Sequence, residues 1–551
     1  FGSRPWLKAP VIVLTPQKSQ RKMAAPEGEA PPLPNLLTSR PPQLQHAEKE
    51  DDTGVPAAAQ SQKAPPRQDA QANSRAFMGI LVSMVGAVMF GMDQANFGQC
   101  QNFDDFLQHW CVGAGYGDST SCSHDSQAGA ISNEHWLRGF VDPASTLITL
   151  GAVAGALLLG PILSSNFGRR LCISAGASIC FLGCLFASYL SLGSVAVFFA
   201  GRFVTGFGVG VCTFALPIYN SEISTAAIRG RTGSMFQLNV VVGLFIASLI
   251  TAIIDDWKMG IMLPGFAGIF VSIAVWFMPE SPRYVMAKRG YDAGVGVLKT
   301  VRHGDVLPEA EGMWEALEAD KREPKVSMAG LCKGASIRWR TFLACAIMVL
   351  QQLTGINFFI FYATTILQGL GVDNPLETNC MMNGAHVLGI FVGIYLIDSN
   401  SRFGGRRNML VLAALMMALP MFVAAMAVSW NWSGVIVVAM TIMYSFSFEV
   451  AWGPVPWVYA SEIFSNAERD AANGLAVGME YGANAVIVFV TPYLVSWSIK
   501  GSLIMFGAIN VLIAAFCYMY VTETKGVPVE LVPTLFAGAP SKKEEAGNSG
   551  A

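Results

Sequence analysis

The sequence predicts an all-α membrane protein: twelve transmembrane helices in two six-helix halves, joined by a cytoplasmic helical linker. Three observations lead there. First, 52% of the residues are hydrophobic and only 13% charged, where soluble domains carry about a quarter charged residues. Second, apolar stretches recur that reach the roughly 20 residues needed to cross a bilayer as a helix. Third, polar phrases at the ends of these stretches appear twice, once in each half. The formal net charge of −2 and the lack of a basic stripe give no footprint for nucleic acid.

The elements follow in order. Residues 1–74 are rich in Pro, Ala, Gln and charge, a composition that does not bury a core, so the segment is expected to be disordered. Its first 22 residues precede the first methionine, Met23. They read as an upstream piece or a basic targeting segment, although Pro5, Pro10 and Pro16 interrupt any amphipathic targeting helix. Apolar periodicity places the spans at about 77–98, 142–164, 171–192, 195–218, 233–254, 261–278, 341–369, 382–398, 408–429, 434–459, 471–496 and 501–521. The halves are therefore 75–278 and 341–521. The connection 279–340 reads as a solvated helical linker, and 522–551 as a short polar tail. Arg169, Arg170, Arg229, Arg231, the long connection, Arg402, Arg406 and Arg407 fall on one side. The opposite side offers chiefly Arg138, Lys258 and Lys500. The positive-inside rule puts the Arg-rich side, and with an even number of spans both termini, in the cytoplasm.

Some polar residues sit where polarity is costly. The phrase FEVAWGPVPWVYASEIF, Phe448 to Phe464, places Glu449, Gly453, Pro454 and Pro456 inside an apolar span. An ionisable residue at membrane depth marks a functional site by default. Backbone broken by Gly and Pro is tolerated there only against protein or a water-filled cavity. In QQLTGIN, Gln351, Gln352 and Asn357 cluster around Thr354–Gly355, which are expected to interrupt the seventh helix. Such amides serve equally well as ligands for a hydroxyl-rich molecule or as helix–helix hydrogen bonds. Asp93 lies inside the first span and Arg202 inside the glycine-rich fourth. Cys100, Cys111 and Cys122 cluster in the loop after the first span, on the side where disulfides persist. Three cysteines leave one over, and the pairing stays open. His109 and His124 lie nearby, but no metal site is expected. Asn431-Trp432-Ser433 is a glycosylation sequon in a short outer loop. No nucleophile–base cluster, metal-ligand set or phosphate loop points to an enzyme, and no cofactor is expected.

The halves echo each other. FGRR (Phe167–Arg170) follows the second span and RFGGRR (Arg402–Arg407) the eighth, while PIYNSEIS ends the fourth span and PWVYASEIF the tenth. Internal repeats of this kind mark transporters with a site at the repeat interface. With GRFVTGFGVG (Gly201–Gly210), RGR (Arg229–Arg231), PESPRY (Pro279–Tyr284), QQLTGIN, GPVPW and VTETKG (Val521–Gly526), the chain resembles the sugar porters of the major facilitator superfamily. The likeness covers roughly residues 77–526. It departs in the first Arg-rich loop, where Ser165 and Asn166 stand, and in the extra glycine of Gly404–Gly405.

The resemblance implies the major facilitator fold and alternating-access transport of a monosaccharide, a hexose foremost, by sugar:proton symport. A facilitated-diffusion uniporter and a transport-silent sugar sensor are the alternatives. By the same likeness, Gln237, Gln351, Gln352, Asn357, Glu449, Trp457 and Asn484 are the sugar ligands. Asp93 and Arg202 match the proton-coupling pair. Arg169, Arg170, Glu222, Arg231, Glu280, Arg406, Arg407 and Glu462 match a cytoplasmic charge network that holds the two halves together in the outward-open state. Glu480 stands where an amide or small polar residue is usual, Tyr481 where an aromatic is common, and His386 where the eighth span often has Asn. The implied partners are a monosaccharide, protons and the lipid bilayer, with the plasma membrane as location and a monomer as the working unit.

Overall fold

The structure is a computed structural model that describes residues 71–122, 133–225, 229–254, 256–322, 326–369, 372, 374–397, 399, 403–430, 432–527 and 532–536. Residues 1–70, His124, Arg402 and Asn431 lie outside them, and the side chain of Arg231 is likewise not described. Among the described residues, eleven helices are long and apolar enough to cross a membrane. The last, Asn466–Tyr520, contains extended backbone at Ser498 (φ −177°, ψ 115°) and is two spans joined at a corner. Twelve spans result.

The first half comprises Ser74–Cys100, Glu134–Phe167, Arg169–Ser188, Val195–Ile223, Arg229–Ile253 and Trp257–Phe277. Glycine decides how these helices pack. A Cβ on Gly206 would stand 1.8 Å from the Ile148 carbonyl oxygen, and one on Gly210 would stand 2.1 Å from that of Ala152. The fourth span therefore lies backbone to backbone against the second. Gly91 and Gly243 do the same for the first and fifth, with a Cβ on Gly91 only 1.9 Å from the Val240 oxygen. Within lipid, such close approach replaces the hydrophobic drive that holds soluble helices together.

The second half is more broken. The seventh span is Ala335–Leu353, then Thr354–Gly355 with Gly355 at φ +96°, then Ile356–Gly369. The eighth and ninth are Pro375–Ile397 and Arg406–Ser429. The tenth is Gly434–Ala451, a break over 452–454, then Val455–Glu462. Large apolar side chains such as Leu158, Phe391, Tyr395 and Leu512 face outward, a surface suited to lipid rather than water.

Three boundaries differ from the sequence reading. Residues 71–74 are ordered, because Gln71–Ala72 pairs antiparallel with Arg302–His303 of the linker and Asn73 caps the first helix. The seventh helix begins at Ala335, within the stretch assigned to the linker. The start of the tail is docked, since Glu523 and Thr524 bond to the second half. Between them, the linker folds into helices Pro282–Arg289, Tyr291–Val301 and Leu307–Arg322.

On the side opposite the Arg-rich loops, Cys111 and Cys122 form a disulfide and Cys100 is free and buried. The loop packs through Phe106, Trp110, Trp136 and Phe140, with the Trp136 and Phe140 rings stacked 4.7 Å apart.

Candidate functional site

Two helix breaks meet at mid-depth. Gln351, on the last turn before the break in the seventh span, donates its Nε2 to the carbonyls of Trp452 (2.6 Å) and Gly453 (3.3 Å). Those carbonyls are freed by the break in the tenth span. An intramembrane break survives only where something meets its polar groups, and here one break satisfies the other. The amide nitrogen of Gln351 is thus committed to the backbone, while its Oε1 is buried without a partner.

Gln352, the next residue, points elsewhere. Its Nε2 donates to Glu480 Oε1 at 2.7 Å, and its Oε1 accepts from Asn357 Nδ2. Glu480 and Asn484 lie one turn apart on the eleventh span, and each keeps one buried oxygen with no protein partner, Oε2 and Oδ1 respectively. Across the halves, Gln237 of the fifth span donates to Glu449 Oε1 at 2.9 Å. His386 Nδ1 of the eighth span lies 3.4 Å from Glu449 Oε2. Gly453 leaves room for that carboxylate, since a Cβ there would stand 2.2 Å from Glu449 Oε1. A carboxylate only accepts hydrogen bonds, so the amide groups of Gln237 and Gln352 must turn their NH₂ ends toward the acids.

Of the expected ligand residues, Gln352, Asn357, Glu449 and Asn484 are buried, and Gln237 reaches Glu449 from the other half. Trp457 is 37% exposed. Trp452 is the tryptophan sealed in the break, with its Nε1 donating to the Leu410 carbonyl. The Tyr481 hydroxyl bonds Thr213 of the first half.

Asp93 and Arg202 are both buried, yet they do not form a direct ion pair in this structure. Arg202 donates Nε to the Ala144 carbonyl at 3.2 Å and lies over the Phe97 ring, 4.4 Å from its centre. Phe97 is one turn beyond Asp93, so the guanidinium is displaced along the first helix. Its Nη2 and Asp93 Oδ1 are both buried without partners.

The charged residues expected to bridge the halves in the outward-open state pair within each half here. Arg169 grips Glu222 with Nε and Nη2 (2.9 and 2.8 Å), and Arg406 grips Glu462 the same way (3.2 and 2.8 Å). Glu280 accepts the backbone N–H groups of Arg169 and Arg170. Each of these contacts lies within one half, so they lock each half internally instead of bridging the two. Arg170 and Arg407 turn to the ends of the sixth and twelfth spans, over Trp276 and Tyr518. Among the described residues, polar contacts between the halves lie at mid-depth, Gln237 to Glu449 and Thr213 to Tyr481, and on the side opposite the Arg-rich loops, Gln101 to the Phe361 carbonyl, Asn102 to Thr364, Asn383 to Ser248 and Arg138 to Ser496.

Sequence reasoning passed over Glu523, which accepts the N–H groups of Arg406 and Arg407 as Glu280 does those of Arg169 and Arg170. The signal was present, because both acids come three residues after a terminal span, at Phe277 and Tyr520. Gly405 is the counterpart of Gly168, with φ +100° and +101°, and a Cβ on either would strike the acid. Arg302 and Arg340 were also missed. They cap the Ile223 and Ile463 carbonyls at the ends of the fourth and tenth spans while paired with Glu309 and Glu468.

Comparison with known proteins agrees with this architecture. The family model described as "Sugar (and other) transporter" matches residues 79–536. The high-affinity glucose transporter ght2 of Schizosaccharomyces pombe is 27% identical over 497 residues, 86% of this chain and 88% of the relative. The sugar transporter ERD6-like 8 of Arabidopsis thaliana is 30% identical over 71% of this chain and 83% of its own length. Among solved structures, the major facilitator proton:xylose symporter XylE bound to 6-bromo-6-deoxy-D-glucose superposes with a TM-score of 0.68 at 23% identity, over 85% of this chain and all of that one.

Proposed function

This chain belongs to the sugar (and other) transporter family, a family of transporters and not of enzymes, and on that premise we propose that it carries a monosaccharide, a hexose foremost, by alternating access. The observation that carries the proposal is the meeting of the broken seventh and tenth spans with Gln237, Gln352, Asn357, Glu449 and Asn484. Sugar hydroxyls both donate and accept, and this set offers buried amides and acids to them from both halves. A polar site built for hydroxyls rejects a ligand that lacks them, because its own groups are then stranded. Gln351 takes part through its free Oε1 and by holding the breaks together. Trp457 supplies an apolar wall for the sugar's C–H face.

Transport runs as sugar:proton symport, with Asp93 and Arg202 as the coupling pair. Both are buried in the half opposite most of the sugar ligands, and each has an unmet polar atom toward which the pair can close. That they stand apart here favours one second reading, a uniporter in which both residues are structural. The Arg-rich side is cytoplasmic by the positive-inside rule. On that orientation the contacts between the halves lie outside and at mid-depth, which supports reading this conformation as inward-facing. The two charge locks, with Arg231 between them in sequence, meet across the inner side when the protein turns outward. The protein works as a monomer in the plasma membrane.

Uptake of labelled D-glucose into proteoliposomes, with and without an inward proton gradient, tests this reading. Accumulation above the outside level that a protonophore abolishes is the result expected of a symporter. Equilibration alone selects the uniporter. No uptake of glucose, fructose or xylose by folded protein overturns the sugar assignment.

A further inference from the structure

Glu480 is an ionisable group without a counter-charge in the middle of the site. It is 6% exposed, its Oε1 accepts from Gln352, and its Oε2 has no protein partner. The helices around it offer nothing charged. The seventh span presents Gln352 and the fourth presents Thr213, which holds the neighbouring Tyr481 hydroxyl. The second span presents Leu157, which lies against Gly478. Charged residues on the packed elements are engaged elsewhere: Arg340 with Glu468, Arg406 with Glu462, Arg138 with Glu134, and Asp142 with Thr146. Glu449 and His386 face each other and Gln237. Among the described residues, no lysine, arginine or histidine reaches Glu480.

We propose that Glu480 binds a proton together with the sugar, which makes it a second proton-linked residue besides Asp93 and a determinant of sugar affinity. The proposal rests on the sugar-site reading above. While the site is open to water, an ionised Glu480 keeps its solvation through Oε2. A sugar seated against Gln352, Asn357 and Asn484 displaces that water, and a buried carboxylate with one amide donor is costly to leave charged. Taking a proton from the aqueous phase onto Oε2 removes the charge and turns that oxygen into a donor to a sugar hydroxyl. By linkage, sugar and proton then raise each other's affinity by the same factor. Affinity therefore rises as pH falls.

The test is calorimetric titration of the purified protein in nanodiscs with D-glucose, D-fructose and D-xylose between roughly pH 5.5 and 8.5. Each titration is run in two buffers of different ionisation enthalpy, which reports protons taken up per sugar bound. The expected result is at least about tenfold tighter binding at the acid end, with proton uptake on binding. Glu480→Gln, isosteric and neutral, should lose the Glu480 share of both the proton uptake and the pH dependence of affinity, leaving only the share that belongs to Asp93. Glu480→Asp should restore a pH-dependent affinity. If Glu480→Gln keeps the wild-type pH dependence, the inference fails while the sugar site stands. Wild-type affinity that does not vary with pH overturns it as well, without need of a variant. If none of the three sugars binds folded wild type at any pH, the sugar-site reading falls, and the inference with it.

Discussion

In the first half, Arg169 grips Glu222 while Glu280 caps the helix that begins with Arg169. In the second, Arg406 grips Glu462 while Glu523 caps the helix that begins with Arg406. A left-handed glycine precedes each arginine, and in each half the acid seats against it. At mid-depth the likeness ends. The first half is glycine-packed, with unbroken helices around Asp93 and Arg202. The second is split at 354–355 and 452–454 and holds Gln352, Asn357, Glu449, Glu480 and Asn484. A carboxylate at a helix N-terminus and a bidentate Arg–Glu pair position a helix end, whatever the middle of that helix contacts. Both halves can therefore keep the same lock while their middles diverge, one toward a tight bundle and the other toward broken helices that carry polar side chains.

The largest effect should come from attacking the packing difference. Gly206→Ala forces a Cβ to within 1.8 Å of the Ile148 oxygen, whereas Gly393→Ala meets the Val450 oxygen at 2.5 Å. The first should cost about 3 kcal/mol, the upper end of overpacking, and the second closer to 1 kcal/mol. Thermal unfolding in detergent measures both, and equal losses would remove the distinction between a tight and a loose half.

Next is Gln352→Ala, which leaves Glu480 and Asn357 without their shared partner at a cost of about 1–3 kcal/mol. Sugar affinity should fall roughly 10- to 100-fold, with a much smaller change in melting temperature. Unchanged affinity would remove Gln352 from the site.

The locks are a smaller target. Glu280→Gln and Glu523→Gln should destabilise by similar amounts, about 1 kcal/mol each, and the double variant should be additive within about 0.5 kcal/mol. A larger interaction energy would mean that the locks communicate across the halves in the state populated in detergent.

The smallest effect separates one lock by pH. Burial holds the Glu280 carboxyl above the ordinary glutamate value of 4.5, against the pull of the N–H groups of Ser281, Arg170 and Arg169. The folded chain then holds this proton more tightly than the unfolded chain. The associated stability is fully present below the unfolded value and is lost as pH rises through the raised one. Wild-type stability should decline over that window and Glu280→Gln should decline less. A variant that declines as much as the wild type would contradict the assignment.

The span count, the six-plus-six division, the glycine-rich fourth helix and the break at Thr354–Gly355 were legible in the sequence. Apolar length, glycine and proline act through the local chain, and the bilayer forces each segment to satisfy its own backbone. The family likeness assigned the amides of the seventh span and Glu449 to one site; the residues alone show only that such groups are costly at membrane depth and need partners. What each polar group touches was decided only when helices distant in sequence packed side by side. Gln351 turned to the carbonyls of Trp452 and Gly453, and Gln352 to Glu480. Arg202 slid past Asp93 to Phe97, and the charge pairs closed within each half. Hydrogen bonds act over about 3 Å, and which groups come that close follows from lateral register between helices, a property no single segment carries.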